Sequence, residues 1–216
     1  MSNFEYIISS LPYLTADYKY AEGQGFGSVL DEIRANLSEK DNALVDDLLE
    51  GFDPEKLGAD FYARALRHRN RFLREYFRFD LNLRNAKVRF LNRELGRDPE
   101  QDVLTGEAGE DEPAEKLDID LRRFSGGEFE AAAKAEFVLS QEDLLTREKG
   151  LDDLTWDTID RLITFHYFDI EAVLGYIAKL HIADRWLALD ETEGRERFRR
   201  LVQEVRGTFK GVQYNG

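Results

Sequence analysis

The sequence predicts an all-α fold of long amphipathic helices in a bundle, with a short N-terminal strand segment as one candidate exception. Three observations carry this. Only 4 of the 216 residues are proline, so few positions force a helix to stop. Apolar residues recur at helical spacing through two long stretches, 57–97 and 152–190. Serine, glycine and proline fall between the apolar runs, as starts and stops. The length suits a single helical domain over residues 1–216. Such a chain buries about 70% of its unfolded surface and folds without disulfides or metals. The absence of cysteine removes disulfides, thiolate zinc sites, iron–sulfur clusters and cysteine nucleophiles together. A net charge of −14 argues against a dedicated nucleic-acid binder.

Residues 4–14 form a short apolar run stopped by Pro12, readable as a strand or an extended segment. Gly23, Gly25 and Gly27 precede Ser28, which predicts an N-cap for a helix to about Leu37. Ser38 and Asp41 resemble a capping box ahead of a helix to about Glu50, ended by Gly51 and Pro54. The apolar spacing then predicts one unusually long helix from about Leu57 to Leu95. Residues 98–120 are acidic, with Lys116 their one basic side chain, and read as a mobile loop or linker. Ser125-Gly126-Gly127 breaks the chain again. Further helices are expected near 128–137, from Ser140 briefly, over about Thr155 to Leu189, and from Glu191 to Phe209. The N-terminus shows no signal-peptide pattern, and no window reaches the ~20 uncharged residues of a membrane span. The expectation is a cytoplasmic protein that meets a membrane only through partners.

On a continuous helix counted from Tyr62, one broad half is apolar and the other is arginine-rich. Arg64, Arg67, Arg71, Arg74, Arg78, Arg89 and Arg93 share that second face. From Arg64 to Arg97 there are eleven basic residues and three acidic ones, a local +8 in an acidic chain. Arginine presents a planar donor fork matched to carboxylates. The face therefore pairs with the protein's own acidic stretches, or it docks an acidic partner; a phosphate backbone would be repelled by the rest of the chain. Asp80 and Arg84 fall inside the apolar stripe as an i,i+4 pair, which predicts an internal ion pair.

Phe79-Asp80-Leu81-Asn82 resembles Phe168-Asp169-Ile170-Glu171 at an offset of 89 residues. The same offset aligns Val88 with Ile177 and Leu91 with Leu180. This fits a duplicated helical unit, 57–97 and 152–190, with a Phe-Asp in mid-helix of each copy.

Tyr6 to Leu14 and Phe79-Asp80-Leu81-Asn82-Leu83-Arg84-Asn85 look like a bacterial family of unknown function encoded with V-type ATP synthase genes. The segment of Asp80, Asn82 and Asn85, with the second Phe-Asp-Ile-Glu, also resembles the funnel-shaped central-stalk component of V/A-type ATPases. That resemblance implies an all-helical, pseudo-repeated adaptor between central stalk and membrane rotor ring, with no chemistry of its own. It makes Asp80, Asn82, Arg84, Asn85, Asp169 and Glu171 structural positions of the repeat. It makes Arg64, Arg67, Arg71, Arg74 and Arg78 candidate partner contacts. It implies a V-type ATPase subunit linked to ion transport, peripheral at the cytoplasmic membrane face. Two departures stand beside it: the stalk component has three repeats, and its pattern lacks the Ser-Leu-Pro segment.

Motifs for catalysis are missing. The glycines around Gly25 lack the Gly-Lys-Ser/Thr ending of a phosphate-binding loop. There is no Gly-x-Ser-x-Gly elbow and no His-Glu-x-x-His. His166 and Asp169, like His181 and Asp184, are three apart on one predicted helix face. The two histidines are about 22 Å apart along that helix and cannot share a metal. They read as hydrogen-bonded core histidines, so no cofactor and no metal are expected. Trp156 and Trp186 are either core anchors or exposed interface residues. The alternative function is a small-molecule-binding or enzymatic bundle with an internal pocket near Asp80, His166 and Asp169.

Overall fold

A computed structural model describes residues 2–18, 25–104 and 128–188, with side chains from 134 in the last segment. The described residues form eight helices and no strand. They are α1 (Phe4–Ser10), α2 (Phe26–Ala35), α3 (Glu39–Glu50), α4 (Ala59–Leu66), α5 (Arg71–Glu94), α6 (Glu128–Leu139), α7 (Leu144–Ile163) and α8 (Ile170–Ala188). The fold is all-α.

The centre is α8. Val173, Leu174, Ile177, Ala178, Leu180, Ile182 and Ala183 are all buried, so its apolar surface runs nearly all round. A helix of that kind must be covered on several sides. Helices α1, α2 and α3 pack on it, and so do α5 and α7. Helices α5 and α7 also pack together, with α4 and α6 at their flanks. Gly175 lets α8 approach α7: a Cβ there would stand 2.6 Å from Ile163 Cγ2. One apolar cluster runs from Ile7 on α1 to Ala183 on α8.

Several expectations change here. The apolar run at 4–14 is not a strand. Asn3 accepts from the Tyr6 N–H at 3.1 Å and starts α1, which ends before Pro12. Ser28 is not a cap; Gly25 holds that position, and the Ser28 hydroxyl donates to Gly25 O. Ser38 does cap α3, accepting from Asp41 N–H, while its own N–H donates to Ser2 Oγ. The helix expected from Ser140 starts at Leu144 under an Asp143 cap and runs on to Ile163.

Neither long helix is continuous. The first breaks at 67–70 between α4 and α5. Asn70 takes the N–H of Leu73 at 3.0 Å and starts a new helix. The second breaks at 164–169 between α7 and α8, where Asp169 takes the N–H of Ala172 at 3.1 Å. Each break has a histidine beside its cap. Asn70 N–H donates to His68 Nδ1 at 3.0 Å, and His166 Nδ1 lies 2.6 Å from Asp169 Oδ2. The proposed repeat loses its structural equivalence, because Asp80 lies within α5 and Asp169 precedes α8.

Residues 98–104, read as the start of a mobile loop, are pinned along α5. Asn92 Nδ2 donates to Gln101 O at 2.7 Å. Asn85 Nδ2 donates to Leu104 O at 2.8 Å, and Leu104 N–H donates back to Asn85 Oδ1 at 3.1 Å. The rest of the acidic stretch and the helix expected over 191–209 lie outside the described residues. Both tryptophans are core anchors. Tyr18 lies 5.4 Å from Trp156 and 5.6 Å from Trp186 between ring centres, and Trp186 Nε1 donates to buried Asp152 at 2.6 Å.

Candidate functional site

The break at 67–70 separates Arg64 and Arg67, at the end of α4, from Arg71, Arg74, Arg78, Arg89 and Arg93, which keep a common face within α5. Arg64 is exposed and reaches Glu50 at 2.7 Å. Arg67 is exposed at the C-cap of α4, and Arg71 is exposed as the first residue of α5. Arg74 is half-buried and donates to His68 O at 2.9 Å, bracing the break. Arg78 is half-buried, with its Nε enclosed and unpartnered. Further along, Arg89 makes a bidentate pair with Glu100 at 2.9 and 3.0 Å. This last contact is the internal pairing of arginine with the acidic stretch.

Asp80 and Arg84 do not form the expected close pair. Asp80 Oδ2 accepts from the hydroxyl of buried Tyr62 at 2.6 Å, tying α5 to α4. Arg84 Nη1 donates to Leu57 O at 2.9 Å. Burial pushes the Asp80 carboxyl above its ordinary range, against the Tyr62 hydrogen bond and the charges of Lys87 and Arg84. Tyr62 is raised in turn, by burial first and the nearby Asp80 charge second. Asn82 is buried with Oδ1 unpartnered. It lines a cleft of about 20 Å³ with Phe79, Leu83, Ala135, Leu154 and Arg161. That is room for about one water.

Asp80, His166 and Asp169 are not brought to one pocket. Asn70 Nδ2 donates to Glu171 Oε1 at 3.0 Å, which places the start of α8 at the start of α5. Asp80 is ten residues further along α5, about 15 Å up its axis. What does converge is His166, Asp169 and Glu171, whose ligating atoms lie within 4.8 Å of one another. Their donor types suit a divalent cation. Each is already used: Asp169 caps α8 and holds His166, and Glu171 accepts from Asn70. The positive end of α8 also works against a cation there.

A second groove lies between α3 and α4, lined by Asp47, Glu50, Phe61, Arg64, His68 and Phe77. Its volume is about 50 Å³, enough for a few waters. His68 accepts at Nδ1 from Asn70 N–H, so its other nitrogen, 3.2 Å from Asp47 Oδ2, carries the proton.

The sequence reading missed the turn between α7 and α8. Phe165, Tyr167 and Phe168 are 86%, 66% and 56% exposed. Placed on a helix, they look like ordinary core candidates. Their signal is the run Phe-His-Tyr-Phe directly before a capping aspartate.

Residues 53–208 match the family described as Protein of unknown function (DUF2764). The chain belongs to this family. The match takes in α4 to α8 and starts after α3, so it covers both helix breaks and the aromatic turn. No curated protein and no solved structure matches the chain.

Proposed function

We propose that this DUF2764 member is a non-catalytic docking protein, and that its partner is a V-type ATP synthase. The observation that carries the docking part is the α7–α8 turn, where three of four consecutive side chains are large, aromatic and mostly exposed. Solvated aromatics grouped on one short turn are costly unless a partner covers them. The polar groups best suited to chemistry are occupied as braces: Asp80 by Tyr62, Asp169 by His166 and the α8 cap. The ATP synthase part rests on the resemblance of Tyr6 to Leu14 and Phe79 to Asn85 to proteins encoded with those genes. An adaptor role between central stalk and rotor ring is the narrower form of the proposal. No described helix is long and apolar enough to cross a membrane, so a place at the membrane face would come through the partner.

The test is co-purification of the tagged chain from its native membranes, with the recovered proteins identified by mass spectrometry. Stalk or ring subunits recovered at low salt and lost at high salt support the reading. Their absence at every salt concentration overturns the ATP synthase assignment.

A further inference from the structure

Two turns meet at one end of the bundle. The α4–α5 turn presents Arg69 and Arg71, both exposed, on either side of Asn70. Asn70 reaches across to Glu171 at 3.0 Å. Glu171 belongs to the cluster with His166 and Asp169, and those two lie within the run that bears Phe165, Tyr167 and Phe168. A basic lip and an aromatic lip are therefore locked side by side, with two partly shielded carboxylates between them. Both lips stand on capped helix starts, so their relative position is set by the fold.

We propose that this end is the docking surface, and that its occupant is an acidic protein surface with an apolar pocket. The inference rests on the docking reading above and names the site and the chemistry of its partner. Arg69 and Arg71 offer planar forks to carboxylates, and phenylalanine and tyrosine are the side chains that fill pockets at interface centres. The pattern of charge selects a protein over a lipid surface. An anionic membrane presents one sign everywhere, and it would meet Asp169 and Glu171 as well as the arginines. The remainder of the chain, net acidic, would also face it. A protein partner can set carboxylates against the arginines and donors against Asp169 and Glu171. A nucleic-acid backbone fails for the reason a membrane does.

The experiment titrates the fluorescently labelled full chain against purified V-type ATPase complex, and separately against phosphatidylglycerol-containing and pure phosphatidylcholine vesicles. The variants are Arg69→Glu with Arg71→Glu, Phe165→Ala with Phe168→Ala, and Arg34→Glu at the α2–α3 side as a control. All five substituted residues lie at or near the surface, and unchanged melting curves confirm that the variants fold. The expected result is salt-sensitive binding of the wild-type chain to the complex. Each double variant should weaken it at least tenfold, with the control unchanged and no binding to either vesicle. If the wild-type chain binds the complex and both double variants bind equally well, the site is wrong while the docking function stands. If the wild-type chain does not bind the complex, the docking reading with this partner fails, and the site falls with it. Binding to the anionic vesicles that the double variants abolish would overturn the protein occupant in favour of a lipid surface.

Discussion

Removing one hydroxyl at the Tyr62–Asp80 contact tests the account of the α4–α5 junction. Tyr62 is fully buried and its hydroxyl donates to Asp80 Oδ2 at 2.6 Å. Tyr62→Phe keeps the ring, its edge contact with Phe61 and the packing volume, and it deletes only the donor. The carboxyl is then left without its partner in a site that already disfavours its charge. An abandoned buried polar group costs about 1–3 kcal/mol, so the expected loss is about 2 kcal/mol. For a chain of this size that lowers the melting temperature by roughly 4–8 °C. Asp80→Asn keeps an oxygen to accept from Tyr62 and removes the charge. Because burial raises the Asp80 pKa, the folded chain holds that proton more tightly than the unfolded chain. Stability from this group is therefore full at low pH and falls as the pH rises from the unfolded value, near 3.8, through the raised folded value. Asp80→Asn should remove that fall and be at least as stable as the wild type at pH 7.5. Urea denaturation followed by the fluorescence of Trp156 and Trp186, at pH 5.5 and 7.5, reads both variants. The reasoning is refuted if Tyr62→Phe unfolds within about 0.5 kcal/mol of the wild type. It is equally refuted if Asp80→Asn loses more stability at pH 7.5 than at pH 5.5.

Three further outcomes follow from the same contacts. Gly175→Ala places a methyl 2.6 Å from Ile163 Cγ2, so α7 and α8 must part and the chain should lose about 1–3 kcal/mol, despite alanine's better helix propensity; thermal melts of Gly175→Ala, of Ile163→Ala, which deletes the clashing Cγ2, and of the pair, which should cost less than the two single losses added, check this. Asn85→Ala removes both hydrogen bonds to Leu104 and should speed proteolysis within 98–104, while leaving the cleavage rate in α7 and α8 unchanged. His181 is stacked on Phe52 with ring centres 4.0 Å apart, and burial, helped by the Arg185 charge, lowers its pKa from 6.5 against the pull of Asp184 and Asp152. The unfolded chain therefore takes up that proton first, so this group's stabilisation is complete above about pH 6.5 and declines as the pH falls below it. His181→Phe should flatten the decline between pH 7 and 5.5 in denaturant titrations.

How much of this was legible in the sequence divides by the range of the interaction. Helix content, the Ser38 start, the Gly51 stop and the apolar character of 170–183 follow from spacing and local chemistry, which a linear reading carries. The breaks at Asn70 and Asp169 were locally encoded too, but apolar residues keep the helical period on both sides of them, so periodicity runs straight across. The mid-helix place of the second Phe-Asp was a product of that false continuity, and so was the extension of the α5 arginine face back to Arg64 and Arg67. Asp80 was visible as an acid in an apolar stripe, yet its partner, Tyr62, lies across the α4–α5 break. Asn85 was visible as part of a motif, and its work of holding Leu104 required the chain to fold back along α5.

The sequence by itself determined that this chain is helical, acidic, free of cysteine and without the short motifs of common catalysis, because those properties are sums and local patterns. Only the tertiary structure decided that Asn70 meets Glu171, and so that an arginine-bearing turn and an aromatic turn about a hundred residues apart share one end of the bundle. The physical reason is that a hydrogen bond between two helix starts depends on how four helices pack, and no periodicity within either stretch of sequence records it.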